Sequence, residues 1–275
     1  MYESTGSARR TVVDLEESLR PSRRDGARIR ILGHRGFPGA GCPENSAAAV
    51  TRALRNGADG VEIDVRRSAD GVLVCSHDAC VHTRTGALME IATSASGELI
   101  GTGPASLATL PELLRAAQRP GGARVVVEAK PVPDAVAARR TADALAEVLG
   151  TASGVDVTVS SFSPGLLAVI RAACADLPVR TALLGDKAAP ADAVVWCAHE
   201  DGHDEVHLPL IGLRRAPEVM GMARLLGLSV AVWTVNRKRN LRWVAALGVD
   251  AVITDDVARA RRKLNQDVVG ELTAA

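Results

Sequence analysis

Histidine and arginine side chains follow directly after two short apolar segments of the sequence. The segment that ends at Gly33 is followed by His34 and Arg35, and the segment Val72–Ser76 is followed by His77. Two histidines can serve as the general acid and the general base of ester cleavage. A guanidinium group can hold a phosphoryl group through two hydrogen bonds. These residue types indicate phosphate-ester chemistry if the fold brings them together.

Carboxylate side chains interrupt two other apolar segments. Glu62 and Asp64 alternate with apolar residues in the run Gly60–Val65, and Glu128 stands two residues before Lys130 in a second run. Residues i and i+2 of a strand lie on the same face, about 6.6 Å apart along it. Carboxylates on one face raise each other's pKa unless a cation lies between them. Three such ligands fit a hard divalent cation, Mg²⁺ or Ca²⁺, better than they fit zinc.

Each feature also has an ordinary structural explanation. A single histidine or arginine at a strand end is often a polar residue of the surface, and a Glu-x-Asp run is typical of the solvated face of an antiparallel sheet. Here, however, the features occur together and the residues that flank the carboxylates are apolar. A parallel strand buried on both faces does not carry a carboxylate without a partner. The combination therefore favours a functional site.

Short β-branched runs alternate with segments of helical period from Ile29 onward, which predicts a parallel sheet covered by helices. The runs 60–65 and 72–76 are separated by only six residues, which fits a hairpin and is too short for a parallel crossover. Eight strands then remain for the sheet. At 275 residues, a closed barrel is favoured over an open doubly wound sheet.

The predicted fold is a single (β/α)8 TIM-type barrel with a short β-hairpin insertion and an N-terminal extension. Residues 1–28 form the extension, predicted to be loosely ordered, and residues 29–275 form the barrel domain. The predicted strands are Arg28–Leu32, Gly60–Val65, Val72–Ser76, Arg124–Ala129, Asp156–Ser161, Val179–Leu184, Glu205–Leu208, Ser229–Thr234 and Ala251–Thr254. The predicted helices are Ser46–Asn56, Leu110–Gln118, Val136–Leu149, Pro164–Ala175, Pro217–Leu226 and Arg237–Leu247.

Composition and charge argue against several classes of protein. The chain has 33 Lys and Arg against 32 Asp and Glu, and only 2% aromatic residues, so nucleic acid and anionic membranes are not expected partners. No apolar run approaches the ~20 residues of a membrane span, and the N-terminus does not resemble a secretory signal. The five cysteines include no C-x-x-C pair, which favours reduced thiols and a cytoplasmic location.

Four linked motifs occupy the first part of the predicted barrel. They are His34-Arg35-Gly36, Pro43-Glu44-Asn45-Ser46, Gly60-Val-Glu62-Ile-Asp64-Val65 and Asp70-Gly71-x-x-Val74-x-x-His77-Asp78. Five shorter motifs follow, at Thr109–Leu114, Val127–Lys130, Ser160–Phe162, Trp233–Asn236 and Thr254-Asp255. In type and order these motifs resemble those of the glycerophosphodiester phosphodiesterase family, over the chain from about Ile29 to Val257.

The resemblance implies a β/α barrel that hydrolyses glycerophosphodiesters, as small-molecule substrates, to sn-glycerol 3-phosphate and an alcohol. By that resemblance His34 and His77 are the acid–base pair, and Arg35 and Lys130 hold the phosphate. Trp233 forms an aromatic wall of the substrate pocket, although a tryptophan at the end of an apolar strand fits a simple core position equally well.

The resemblance also implies a divalent-cation site. Its ligands are Glu62, Asp64 and Glu128, with Glu44 of the Pro-Glu-Asn motif as a further ligand. The sequence departs from the family pattern at Asp256, where a proline is usual, and this affects the last turn more than the chemistry. The stretch between His77 and Glu128 is too short for a large inserted cap, which predicts an open site.

Two other functions stay open on the sequence. The substrate could be a lysophospholipid cut on the same side of phosphorus, although no apolar lid is evident. A catalytically silent barrel could instead bind phosphodiesters or a protein, although none of the implied site residues is missing.

The run His199-Glu-Asp-Gly-His203 matches the H-E-x-x-H pattern of zinc proteases, which requires both histidines on one face of a helix. Gly202 and the absence of an apolar helical period predict a polar loop before Glu205 instead. No partner is evident in the sequence for His82, His203 or His207.

Overall fold

Eight parallel strands form a closed ring in the computed structural model, which describes residues 28–82, 86–100 and 107–272. The predicted extension lies outside the described residues apart from Arg28, so its boundary stays a prediction. In chain order the strands are Arg30–Gly33 (β1), Gly60–Arg67 (β2), Leu73–Cys75 (β3), Cys80–His82 (β4), Leu88–Glu90 (β5), Ala123–Ala129 (β6), Val155–Ser161 (β7), Arg180–Leu184 (β8), Glu205–Pro209 (β9), Ser229–Trp233 (β10) and Ala251–Thr254 (β11).

The ring follows the order β1, β2, β6, β7, β8, β9, β10 and β11, and it closes because β11 pairs in parallel with β1. Strand β3 lies outside the ring and pairs antiparallel with β2, with Val65 opposite Cys75. The predicted barrel and its hairpin are therefore confirmed. Strands β4 and β5 form a separate antiparallel pair that the sequence did not predict.

Helices follow most of the ring strands and cover the outside of the barrel. In chain order they are Ala47–Arg55 (α1), Ser96–Leu99 (α2), Leu110–Ala117 (α3), Ala135–Gly150 (α4), Pro164–Ala173 (α5), Ala191–Glu200 (α6), Leu210–Arg215 (α7), Val219–Leu225 (α8), Lys238–Leu247 (α9) and Val257–Leu272 (α10). In the part of the chain that the structure describes, no helix has both the length and the apolar composition that a membrane crossing requires. All five cysteines are free.

Helix α6 corrects the expectation of a polar loop around His199. Its buried face consists of Ala191, Val194, Val195 and Ala198, which are spaced as on one side of a helix. These small residues give a weak apolar signal in a run that ends in charged residues. The helix ends at Glu200, so His199 and His203 do not share one helical face as the zinc-protease pattern requires.

The side chains of β2 alternate between the two faces of the barrel wall. Val61, Ile63 and Val65 belong to the main core between strands and helices. Glu62 and Asp64 face the opposite way, into the barrel. The barrel interior holds a much smaller apolar cluster, formed by Leu32, Val126, Ala231, Ala251 and Ile253 with Trp233 packed against it. The interior therefore has room for polar groups at both ends.

Buried ion pairs occupy the end of the barrel at which the strands begin. Arg124 of β6 and Glu205 of β9 are both buried, and the Arg124 guanidinium donates to the Glu205 carboxylate. The Nε atom of Arg180 donates to the same carboxylate at 3.1 Å. Burial alone would raise the pKa of Glu205, but the hydrogen bond from His207 and the charge of Arg124 lower it well below its ordinary value.

We expect the Glu205→Gln substitution to lower the free energy of unfolding by about 3 kcal/mol, because it removes the buried carboxylate that pairs with Arg124 and leaves only the half-exposed Asp156, at 3.6 Å, as its partner. A carboxyl group with a lowered pKa in the folded state stabilises the protein above its unfolded pKa. The difference in the free energy of unfolding between wild type and variant should therefore be largest at neutral pH and decrease as the pH falls below about 4. Urea denaturation across this pH range measures both effects.

The exposed pair between Arg139 and Asp143 of α4, with a separation of 3.1 Å, supplies the control. Its removal by Arg139→Ala should change the free energy of unfolding by less than about 0.5 kcal/mol. Equal stability of Glu205→Gln and wild type at neutral pH would contradict a structural role for the buried pair.

Candidate active site

The ends of the strands opposite the buried ion pairs surround a cavity of about 490 Å³. Residues that lie far apart in the sequence converge here because the carboxyl ends of parallel strands meet at one rim. Eight of the nine side chains that the sequence indicated line this cavity: His34, Arg35, Glu62, Asp64, His77, Glu128, Lys130 and Trp233. Glu44 does not line it.

A tight turn after β1 places His34 and Arg35 at the rim. Arg35 has a φ of 53° and Gly36 a φ of 85°, so the chain reverses within two residues. A Cβ atom on Gly36 would approach the backbone carbon of Ala49 to 2.7 Å, so this position requires glycine. The backbone N–H of Arg35 donates to Oε2 of Glu62 at 3.0 Å, which ties the turn to the acidic residues.

Three buried carboxylates form the centre of the site. Each of Glu62, Asp64 and Glu128 offers one oxygen, and these oxygens all lie within 4.8 Å of one another. The register of the sheet produces this cluster, because Asp64 of β2 stands directly beside Glu128 of β6. Among the described residues, none makes a hydrogen bond to the buried Oε1 atom of Glu62. Three carboxylates with one unpartnered oxygen fit a hard divalent cation.

The carboxyl groups of the cluster differ in their pKa shifts. Burial and the neighbouring charge of Asp64 raise the pKa of Glu62 to about 8. Burial also raises the pKa of Glu128, although Lys130 acts against it. For Asp64 the charge and hydrogen bond of Lys130 outweigh burial and lower the pKa. Without a further cation, burial and the charge of Asp64 therefore favour the protonated form of Glu62 at neutral pH.

Two cationic side chains lie against the cluster. The Nζ atom of Lys130 is 2.6 Å from Asp64 and 2.5 Å from Glu128. The Nε atom of Arg35 is 3.4 Å from Asp64. Glu44, which the resemblance implied as a further ligand, instead accepts two hydrogen bonds from Arg35 at 2.9 and 3.0 Å. It lies outside the three-carboxylate cluster because its side chain is occupied by this pair.

His34 belongs to a chain of hydrogen bonds that the sequence did not predict. Its Nδ1 atom lies 2.6 Å from Oδ1 of Asp255, and its Nε2 atom lies 4.0 Å from Oε2 of Glu62. Asn236 donates to the other oxygen of Asp255 at 2.5 Å. Burial alone would lower the pKa of His34, but the hydrogen bond to Asp255 and the charge of Glu62 raise it above its ordinary value. Asp255 thus orients His34 and favours its protonated form.

His77 reaches the cavity from the loop after β3 and is more exposed than His34. Its Nδ1 atom lies 2.8 Å from Oδ1 of Asp78. Its backbone carbonyl accepts two hydrogen bonds from the guanidinium of Arg66, at 3.2 and 2.8 Å. Both histidines are therefore held by a carboxylate on one ring nitrogen, as general acids and bases often are.

An aromatic wall closes one side of the cavity. The rings of Trp233 and Phe162 meet edge to face, with centroids 5.8 Å apart and planes at 83°. The indole N–H of Trp233 donates to the backbone carbonyl of His207 at 3.3 Å. The ammonium group of Lys187 lies 5.8 Å from the centre of the indole ring. Trp233 therefore borders the cavity and also packs against the apolar cluster inside the barrel.

Several residues at the site were not predicted. Asn45, which the sequence showed only as part of a motif, donates to Asp64 at 2.8 Å and accepts from the backbone of the same residue at 3.0 Å. His207 and Ser160 line the cavity. Glu205 and His207 repeat on β9 the i, i+2 arrangement of Glu62 and Asp64, so the same period-two pattern could have indicated them.

The histidines for which the sequence indicated no partner each have one. His203 hydrogen-bonds with the hydroxyl of Thr181 at 2.9 Å, and His207 with Glu205 at 3.2 Å. His82 lies 3.4 Å from the backbone carbonyl of Gly86. The partner of His203 lies 22 residues away on β8, whereas Glu205 precedes His207 by two residues on β9 and Gly86 follows His82 by four residues.

Comparison with known proteins gives a consistent result. The sequence model of the glycerophosphoryl diester phosphodiesterase family matches residues 34–259. A Mycobacterium tuberculosis protein named probable glycerophosphodiester phosphodiesterase 1 is 31% identical over 255 residues, which cover 84% of this chain and 90% of that protein.

Solved structures share the fold. A glycerophosphodiester phosphodiesterase from Thermotoga maritima superposes with a TM-score of 0.70 at 28% identity, over 85% of this chain and 97% of the other. An Oleispira antarctica phosphodiesterase has a TM-score of 0.73 at 21% identity, over 86% of this chain and 96% of the other. The fold, the extent of the family match and the mycobacterial relative agree, and the chain therefore belongs to the glycerophosphoryl diester phosphodiesterase family.

Proposed function

We propose that the chain hydrolyses glycerophosphodiesters to sn-glycerol 3-phosphate and an alcohol, with a divalent cation and two histidines. The observation that carries this proposal is the convergence of two carboxylate-held histidines and three buried carboxylates on one cavity. The Oleispira antarctica phosphodiesterase was solved in complex with the product sn-glycerol-3-phosphate, which supports this class of substrate.

Glu62, Asp64 and Glu128 are the proposed ligands of the cation, and their oxygen atoms favour Mg²⁺ or Ca²⁺. A bound cation of this charge would offset the clustered carboxylates and polarise a phosphoryl oxygen. Asn45 donates one hydrogen bond to the carboxylate of Asp64 and accepts another from the backbone N–H of Asp64. These two bonds fix the orientation of the carboxylate.

Arg35 and Lys130 are the proposed phosphate-binding groups, because both lie beside the carboxylates and line the cavity. Their positive charge would stabilise the negative charge that increases on the phosphoryl oxygens during transfer. Trp233 and Phe162 would exclude water from one side of the bound substrate.

His34 and His77 are the proposed acid–base pair. One imidazole would take a proton from the nucleophile, either water or a hydroxyl of the substrate's own glycerol. The other would protonate the alkoxide that leaves. Asp255 keeps the Nε2 atom of His34 directed towards Glu62 and the cavity.

Removal of divalent cations with a chelator should lower the release of sn-glycerol 3-phosphate from glycerophosphocholine by at least about 100-fold, and Mg²⁺ or Ca²⁺ should restore it. The Glu128→Gln variant should need a higher cation concentration for half-maximal activity. Glu44→Gln should not, because Glu44 lies outside the cluster. Unchanged activity in the chelated enzyme would contradict the proposed metal site.

Replacement of either proposed catalytic histidine, by His34→Ala or His77→Ala, should lower kcat by a factor of about 10² to 10⁴. His203→Ala is the matched control, because this buried histidine does not line the cavity and should leave kcat unchanged. Full activity in either test variant would reject the assignment. A parallel assay with lysophosphatidylcholine distinguishes the lysophospholipid alternative.

The Asp255→Asn substitution should keep a polar contact to His34 and remove the negative charge that orients the ring. We expect kcat to fall by at least about tenfold while KM stays within about twofold, since Asp255 acts through His34 and not on the substrate. Steady-state kinetics with glycerophosphocholine separates the two constants. A change confined to KM would show that Asp255 has a different role.

A further inference from the structure

The two proposed catalytic histidines are attached to the barrel in different ways. The backbone N–H of His34 donates to the carbonyl of Thr254 at 2.9 Å, so strand pairing within the ring fixes this residue. His77 lies in the loop after β3, a strand that stands outside the ring. In the part of the chain that the structure describes, the hydrogen bonds to the His77 backbone come from one side chain, that of Arg66. The position of His77 therefore depends on this side chain as well as on the pairing of β3 with β2.

Arg66 belongs to β2, which is a strand of the ring. Its Nε and Nη2 atoms both donate to the carbonyl oxygen of His77, at 3.2 and 2.8 Å. A planar guanidinium that donates through two nitrogen atoms fixes the distance and the direction of its acceptor, and hydrogen bonds from a charged donor are stronger than neutral ones. A lysine ammonium would act as a compact charge on a flexible chain. The contact thus ties the His77 backbone to the barrel wall.

Arg66 does not line the cavity of the proposed active site. It lines a second cavity of about 460 Å³, together with Ala79 of the His77 loop and with Lys130, which lines both cavities. The guanidinium is therefore not among the groups that surround the proposed phosphodiester. Its contact with the site runs through the backbone of His77, and the second cavity gives small solutes room beside it.

We propose that Arg66 is a positioning residue, which holds the backbone of His77 so that the imidazole stays aligned with the phosphodiester. This inference rests on the proposed function, because it takes His77 as a group that transfers a proton. A displacement of about 1 Å at a catalytic group can lower the rate by a factor of about 100. Loss of the Arg66 side chain should therefore slow catalysis and leave substrate binding intact.

Steady-state kinetics with glycerophosphocholine and saturating Mg²⁺ tests the proposal. We expect Arg66→Ala to lower kcat by a factor of about 10 to 100. KM and the Mg²⁺ concentration for half-maximal activity should both stay within about twofold, because the hydrogen bonds of Arg66 go to His77 and not to the carboxylate cluster. Arg66→Lys should recover part of the loss. Unchanged kcat in folded Arg66→Ala would overturn the proposal, and so would a change confined to KM.

The neighbouring residue Arg67 provides the matched control. It lines the same second cavity, and the described residues show no hydrogen bond between it and His77. Arg67→Ala should leave kcat within about twofold of wild type. Free guanidinium ion, well below denaturing concentrations, should raise kcat of Arg66→Ala at least about threefold, because the second cavity admits it beside the His77 carbonyl. A loss of kcat that neither Arg66→Lys nor guanidinium recovers, with a lowered melting temperature, would show a structural role and overturn the proposal.

A spectroscopic measurement makes the test independent of turnover. In protein with isotope-labelled histidine, the nuclear magnetic resonance signal of the His77 ring is identified by its absence from His77→Ala. We expect this signal to shift or broaden in Arg66→Ala and Arg66→Lys, while the His34 signal stays in place. Arg67→Ala should change neither signal, and an unchanged His77 signal in both Arg66 variants would refute the positioning role. If the His77 signal responds as expected but wild type does not cleave glycerophosphocholine, the proposed function fails and the attachment of His77 through Arg66 stands.

Discussion

The concentration of negative charge at one end of the barrel is the constraint on which the rest of the site depends. Three buried carboxylates within 4.8 Å of one another cannot all ionise without positive charge beside them. Arg35 and Lys130 supply part of that charge, and the turn after β1 is tied to the cluster through the backbone of Arg35. His34, the turn after β1 and the two cationic side chains are all placed against these acids.

The barrel interior is polar at both ends and apolar only in a thin middle layer. At the end where the strands begin, Arg124 and Arg180 neutralise Glu205. At the other end lies the cavity of the proposed active site. Glu205 and His207 connect the two, because they are neighbours on the same face of β9. A structural ion pair at one end of the barrel therefore determines the orientation of a side chain at the other.

Much of the site was predictable because it depends on strand periodicity. The alternation of apolar and acidic residues in β2 predicts that Glu62 and Asp64 lie on one face of the strand. In the structure they do, and the apolar residues between and beside them lie on the other face. Partners that reach across the fold were not predictable in this way. Asp255 lies 221 residues from His34 in the chain, and no spacing rule relates them. Helix α6 was missed because its buried face consists of alanine and valine next to a charged end.

Sequence alone determined the barrel, the segments that form its strands and the residue types at their ends, because these depend on local periodicity and on the length of the connections. It also carried the motifs by which the family is recognised. Tertiary structure decided which groups pair. It assigned Glu44 to Arg35 and Asp255 to His34, and it left Nδ1 of His207 and Oγ of Ser160 without partners among the described residues. Hydrogen bonds form between atoms that are close in space, and only the closed ring of strands brings these atoms together.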